Sequence, residues 1–294
     1  MKRIPLALAM LLLATTAACA TGIRTGQAPE ASPGSAQPKG NLVRDGYAGR
    51  FRVAATVLQN KEHGPQICLS VALSLPPQCG GPDVAGWSWD GLKHESAVST
   101  TWGEYLITGT FDGHTFTLTE PPKVNDGQYS SPGPSPDFTS PCPAPAGGWR
   151  PVDPARATDD ALQAVNARVN NDPDFAGLWI DQKVTSTVQT PRNDPTKLVL
   201  NVRFTKDLAR HEADIRTIWG GALCVSKALH TLAELTSIQS ALSDGSETSY
   251  SSIDIISGTV HIGVFLATQA RQRELDSRYG PGLVILVGAL EPID

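Results

Sequence analysis

Apolar positions along this chain fall into three regimes. Ile4 to Ala14 is an unbroken apolar run except for Pro5. It is preceded by the basic Met1-Lys2-Arg3 and followed by the small-residue neck Thr15-Thr16-Ala17-Ala18. Between residues 47 and 120 the apolar residues recur in short period-two runs, the spacing of half-buried strands. Phe51 to Leu58 is one such run and Gln66 to Ser70 a shorter one. Trp87 and Trp89 share one face of a third. Glu104 to Phe111 and Thr115 to Thr119 flank Asp112-Gly113-His114, and an Asp-Gly turn between β-branched runs predicts a hairpin. From residue 156 onwards, strand-like runs alternate with helical spacing.

In this third region Thr158 caps a predicted helix carrying Leu162, Val165 and Val169. Strands are predicted at 176–184, 197–204, 222–227, 251–256, 259–266 and 283–290, with helices at 206–219, 231–242 and 269–279. Gly220-Gly221 and Gly280 stop the first and last of these helices. The strand-helix-strand stretch 198–229 resembles 260–290 at a shift of 62, which places Val202 on Val264 and Phe204 on Leu266. Glu212, Asp214 and Arg216 then fall on Glu274, Asp276 and Arg278. Two similar βαβ units predict a ferredoxin-like split βαβ sheet. Two stretches lack any apolar period. Residues 19–46 are Gly-, Ala-, Pro- and Ser-rich and read as a flexible tether, and 121–155 read as a Pro-rich linker. The predicted fold class is thus two domains: a small all-β barrel or sandwich over 47–120 and a C-terminal α+β domain over 156–294.

The N-terminal pattern is that of a secretory signal peptide over residues 1–18. Cys19, directly after the small residues, predicts lipoprotein processing, with cleavage before Cys19 and acylation of its thiol and amine. Ala18-Cys19-Ala20 also satisfies the A-x-A rule, so cleavage after Ala20 to release a soluble chain starting at Thr21 remains open. The apolar run is too short for a transmembrane helix, which needs about 20 residues.

Charge then narrows the partners. The net charge is −5, and removal of Lys2 and Arg3 leaves 22 basic against 29 acidic residues. An acidic chain is poorly suited to nucleic acid and to electrostatic adhesion on anionic lipid, so membrane association would have to come from the acyl anchor. The expected partners are the membrane through that anchor and a protein or cell-wall component. Four cysteines remain besides Cys19, an even set that predicts two disulfides in an exported chain. Local closure pairs Cys68 with Cys79, which leaves Cys142 with Cys224. The second bond is expected to hold the β-domain against the α+β sheet and so fix a cleft between them.

Candidate chemistry is sparse. His211-Glu212 has Ile215 where H-E-x-x-H needs a second histidine. Asp207 and His211, four apart, could form a two-ligand metal corner but more commonly make a surface ion pair. No metal, cofactor or catalytic residue is predicted. Trp87, Trp89, Trp102 and Tyr105 are the candidates for ligand contact, since aromatics in an exported β-domain can stack on sugars or clamp peptides; the competing reading is a core that needs large side chains.

The stretches His63-Gly64-Pro65-Gln66-Ile67-Cys68, Leu75 to Trp87 (with Pro-Pro-Gln-Cys-Gly-Gly-Pro), Thr101-Trp102-Gly103-Glu104-Tyr105 and Ile218 to Val225 resemble an uncharacterised family of actinobacterial exported lipoproteins. The resemblance implies export and a shared fold and carries no catalytic residue with it. The strand-helix arrangement of residues 176–266 also resembles the pro-regions of secreted bacterial serine proteases. The expected function is a non-enzymatic cell-surface lipoprotein acting as a binding or interaction module. A protease-directed inhibitor or folding helper, and a hydrolase with a dispersed site, are the alternatives.

Overall fold

The computed structural model describes residues 41–127 apart from 70 and 73, and residues 137–182, 194–243 and 248–293. The signal peptide, Cys19 and the tether up to residue 40 lie outside the described residues. Residues 36–294 form one compact unit.

Seven strands come first: β1 (Phe51–Gln59), β2 (Gln66–Cys68), β3 (Asp83–Ala85), β4 (Glu95–Ala97), β5 (Thr100–Phe111), β6 (Thr115–Leu118) and β7 (Lys123–Val124). β1, β2, β3, β6 and β5 pair in that order, and β5 pairs back onto β1 from Phe51↔Gly109 to Gln59↔Thr101. The ring closes into a five-stranded barrel, which removes the free edges such short strands would otherwise present. β4 and β7 pair with β5 outside the ring. Alternation along β1 points Phe51, Val53, Ala55 and Val57 inward against Tyr105, Ile107, Phe116, Val84 and Ile67. Gly103 sits on the inward face because the Tyr105 ring occupies the space its Cβ would need.

Next come α1 (Asp159–Val169), β8 (Phe175–Asp181), β9 (Val199–Phe204), α2 (Leu208–Arg216) and β10 (Ala222–Lys227). They are followed by α3 (Leu232–Ser243), β11 (Thr248–Asp254), β12 (Thr259–Val264), α4 (Gln269–Tyr279), β13 (Val284–Gly288) and β14 (Glu291–Pro292). Here the structure corrects the predicted fold class, because the described residues form no separate ferredoxin-like domain. A split βαβ unit needs a third strand between its two parallel ones. Instead β9 pairs directly with β10 and β12 directly with β13, giving two three-stranded sheets ordered β10-β9-β8 and β11-β12-β13. The chain end then returns to the barrel. β14 pairs with β1 (Phe51↔Pro292), Leu290 is fully buried in the barrel core, and Phe111 packs edge-on against Phe265 at 4.9 Å.

The two sheets belong to two αββαβ modules, α1 to β10 and α3 to β13. Each has an antiparallel hairpin followed by a parallel crossover. Each carries a register shift at the same place: between Phe175 and Gly177, opposite Phe204 and Arg203, and between Thr248 and Tyr250, opposite Val264 and Gly263. The first pair of positions is 73 residues from its counterpart and the second pair 60. The 13-residue difference is the excess of the β8–β9 connection (17 residues, 182–198) over the β11–β12 turn (4 residues, 255–258). The shift of 62 suggested by the helix charges is therefore replaced by 60, which aligns Ile215 with Leu275 and Trp219 with Tyr279. Solvated charges do not restrain register, whereas strand pairing does.

Thr158 and Thr268 cap α1 and α4 through bonds from Ala161 N and Arg271 N, 3.2 and 3.1 Å. Thr231 and Glu234 cap each other reciprocally at α3. In the first module Val165, Val169, Ile215 and Trp219 cover Leu200, Val202, Phe204 and Leu223. In the second, Leu235 and Leu275 cover Val260, Ile262, Val284 and Leu286.

Candidate functional site

Both disulfides form as the spacing predicted, Cys68–Cys79 and Cys142–Cys224, closing separations of 11 and 82 residues. They mark the chain as an exported protein. Among the described residues no helix is long and apolar enough to cross a membrane. The second bond does not fix a cleft between barrel and sheet. It locks residues 137–153 as a strap across the bare face of the first module's sheet. Cys142 and Trp149 pack there on Val199, Ala222 and Cys224. Trp179 Nε1 donates to Phe138 O at 3.1 Å, Ser140 N donates to Asp181 Oδ2 at 2.8 Å, and the amides of Val152 and Asp153 donate to Gly220 O.

The structure divides the aromatic quartet. Trp87, Trp89 and Tyr105 meet edge-to-face, with centroids 5.0 Å apart for Trp87–Tyr105 and 5.2 Å for Trp87–Trp89. Tyr105 is fully buried, burial raises the pKa of its hydroxyl, and that hydroxyl donates to Lys93 O at 2.7 Å. Trp87 and Trp89 are half-buried against the same barrel core, and Trp89 Nε1 donates to Gln59 Oε1 at 2.8 Å. Trp102 lies three residues from Tyr105 and so on the opposite face of β5, between Leu58 and Glu95. Trp87, Trp89 and Tyr105 therefore pack on one another and on the barrel core, and Trp102 stands apart from them.

One buried polar cluster was not legible in the sequence. His211, on α2, is buried and stacks on Phe204 with centroids 3.8 Å apart and planes parallel within 1°. Its Nδ1 is 3.4 Å from Asp172 and its Nε2 is 3.6 Å from Asp174. Asp207, the predicted partner, meets His211 only through its backbone carbonyl, which accepts the His211 N–H. Asp172 Oδ1 accepts the amide of Asp174 at 2.9 Å, in the turn that joins α1 to β8. The Asn171-Asp172-Pro173-Asp174 turn was the available signal.

Three potential ligand atoms lie here within 4.8 Å of one another, but the arrangement does not fit a metal. Asp174 already faces Lys206 Nζ at 3.2 Å and Arg210 at 3.8 Å, and Arg210 lies 3.0 Å from His211 Nε2. A cation would have to displace both. The geometry is that of a buried imidazole tying α2 to the α1–β8 turn. Beside it lies an open groove of about 490 Å³, lined by Asn170, Asp172 and Phe175 and, from α3, by Leu232, Thr236 and Ser240.

A second polar chain runs along the β11–β12 turn. Asp254 accepts from the Ser257 hydroxyl at 2.7 Å, Ser257 meets Thr259 at 2.7 Å, and Thr259 meets His261 Nε2 at 3.0 Å. Burial lowers the pKa of His261, partly opposed by the Asp254 charge. Asp254 also accepts the amides of Ile256 and Ser257, so it is committed to shaping the turn. No family model matches this chain, and comparison with curated proteins finds no match either.

Proposed function

We propose that this chain is a cell-surface lipoprotein that acts as a non-enzymatic binding or interaction module, of the kind its resemblance to exported actinobacterial lipoproteins implies. The observation that carries the reading is Cys19. It follows an apolar segment and a small-residue neck in a chain whose two disulfides belong to an oxidising compartment. An acyl group on Cys19 supplies membrane affinity that an acidic chain does not have. The disulfide-stapled barrel and the strapped first module then provide a stable surface for a protein or cell-wall partner.

Cys19→Ala is the direct test. The unaltered chain is expected in the detergent phase of a phase-partition assay and the variant in the aqueous phase or unprocessed. Equal partition of both would overturn the anchor. Labelling of the purified protein by a serine-hydrolase probe would overturn the non-enzymatic reading.

A further inference from the structure

We propose that residues 138–149 are a redox-released cover: reduction of Cys142–Cys224 by a dithiol lifts them from the first module's sheet while the module stays folded. The inference rests on the interaction-module reading and makes the surface that this module offers a partner depend on one disulfide. The strap forms no strand or helix of its own, and residues 143–148 are exposed. Arg150 turns back onto Gly147 O through Nε and Nη2 at 2.9 and 2.6 Å, so its hydrogen bonds stay within the strap. At one end the strap is held by Trp179 Nε1 on Phe138 O and by Ser140 N on Asp181, and at the other by the amides of Val152 and Asp153 on Gly220 O. Between those ends its apolar contact is small: Cys142 and Trp149 rest on Val199, Ala222 and Cys224. The crosslink is therefore the main tie at the centre of the strap.

The groups beneath the strap favour its release. Asn201 Oδ1, Ser226 Oγ and, in the strap itself, Ser140 Oγ are buried with no hydrogen-bond partner among the described residues. Asn201 and Ser226 share the strap face with Val199 and Cys224 by alternation along β9 and β10. A buried polar atom without a partner costs free energy that water returns once it is uncovered. That gain offsets the renewed exposure of Val199, Ala222 and Trp149. The module's main core lies on the other face, where α1 and α2 cover Leu200, Val202 and Phe204, so lifting the strap does not open it. The reductant reaches the bond from one side: Cys142 is half-buried between the exposed Pro141 and Pro143, whereas Cys224 is buried. A thiolate of the dithiol attacks the Cys142 sulfur. The S–S bond breaks, and its electron pair leaves on the Cys224 sulfur, which takes up a proton. The second sulfur of the dithiol then displaces Cys142, which also leaves as a thiol. The dithiol ends as a disulfide, and the protein has gained two electrons and two protons.

The test is amide hydrogen exchange on the full chain in detergent micelles, with and without dithiothreitol, while alkylation and mass mapping follow the Cys142 and Cys224 thiols. On reduction the Ser140 amide should exchange at least about tenfold faster, while the amides of β9 and β12 keep their protection and circular dichroism is unchanged. Reoxidation should restore the slow exchange. Cys142→Ser with Cys224→Ser leaves only Cys68–Cys79 to reduce, so it should show the fast exchange without dithiothreitol and no further change with it. Ser226→Ala removes an unpaired hydroxyl and should slow strap exchange in the reduced chain by about fivefold or more. A Ser140 amide that stays protected after reduction would overturn the proposal. So would loss of protection in β9 at the same step, because strap and module would then open as one unit. Strap exchange untouched by Ser226→Ala would remove the physical basis for release and overturn it too. Membrane partition is read separately through Cys19→Ala, so a strap that stays closed leaves the lipoprotein reading to stand or fall by itself.

Discussion

The two αββαβ modules share order, pairing and the position of a register shift, yet they are finished differently. The first has both faces of its sheet covered, one by α1 and α2 and the other by a strap locked through Cys142–Cys224. Among the described residues the second has no such strap. Over its corresponding face Tyr250 lies across Gly263, where no Cβ would fit, and is itself 47% exposed. The central strands differ accordingly at the same register: Asn201 is fully buried under the strap, while His261 lies in a hydroxyl chain ending at the β11–β12 turn. One backbone plan can therefore carry different side-chain chemistry, provided each sheet face finds its own cover.

Breaking the strap tests that contrast most severely. The chain-entropy model assigns a bond spanning 82 residues about 4.5 kcal/mol and one spanning 11 about 2.8 kcal/mol, before native strain. The double replacement Cys142→Ser with Cys224→Ser should therefore lower unfolding free energy more than Cys68→Ser with Cys79→Ser. It should also raise hydrogen exchange in β10 and leave β13 unaffected. Equal losses for the two pairs in urea unfolding would show that the strap contributes little.

Next come the aromatics that end the crossover helices. Trp219 is fully buried and donates from Nε1 to Ala222 O at 2.9 Å. Trp219→Ala should cost about 3–5 kcal/mol. Tyr279, its counterpart, is only half-buried, and Tyr279→Ala should cost less than half as much by the same denaturation measurement.

The third comparison sets His211 against Arg271, sixty residues on. His211→Ala removes the buried imidazole that faces Asp172 and Asp174 and stacks on Phe204, and should cost about 2–3 kcal/mol. Arg271, exposed and paired with Glu274 at 2.7 Å, should tolerate alanine within about 0.5 kcal/mol. Added zinc should leave the melting temperature of the unaltered chain unchanged. A rise that is lost in His211→Ala would show that the cluster holds metal after all.

The smallest effect is expected from His261. Its pKa is lowered in the folded state by burial, so the unfolded chain binds the proton more readily. Stability should be unaffected by this group above pH of about 6.5 and should decline as pH falls from there through the lowered folded value. His261→Gln should flatten that acid slope. An identical slope in the variant would assign the pH dependence to other groups.

Patterns with a period shorter than the element were readable from the chain. Alternation along Phe51–Leu58, the Asp-Gly hairpin and the cap at Thr158 are local properties, set by backbone geometry within a few residues. The disulfide partners followed from one close spacing and elimination. The exported character followed from the same cysteines and the first nineteen residues.

The tertiary structure alone decided which strands became neighbours. Ring closure of β1 and β5 and the return of β14 to β1 depend on long-range pairing, which no local pattern encodes. So does the separation of the two crossover units into different sheets. The same holds for the site. Asp172, Asp174 and His211 lie on a turn and a helix that meet only because α2 packs beside the α1–β8 turn. Trp102 and Tyr105, close in sequence, are parted by the alternation of a single strand. A sequence specifies each residue's preference for helix, strand or interior. Which interior it shares is fixed by the collective packing of elements far apart in the chain, where one register satisfies all the buried faces at once.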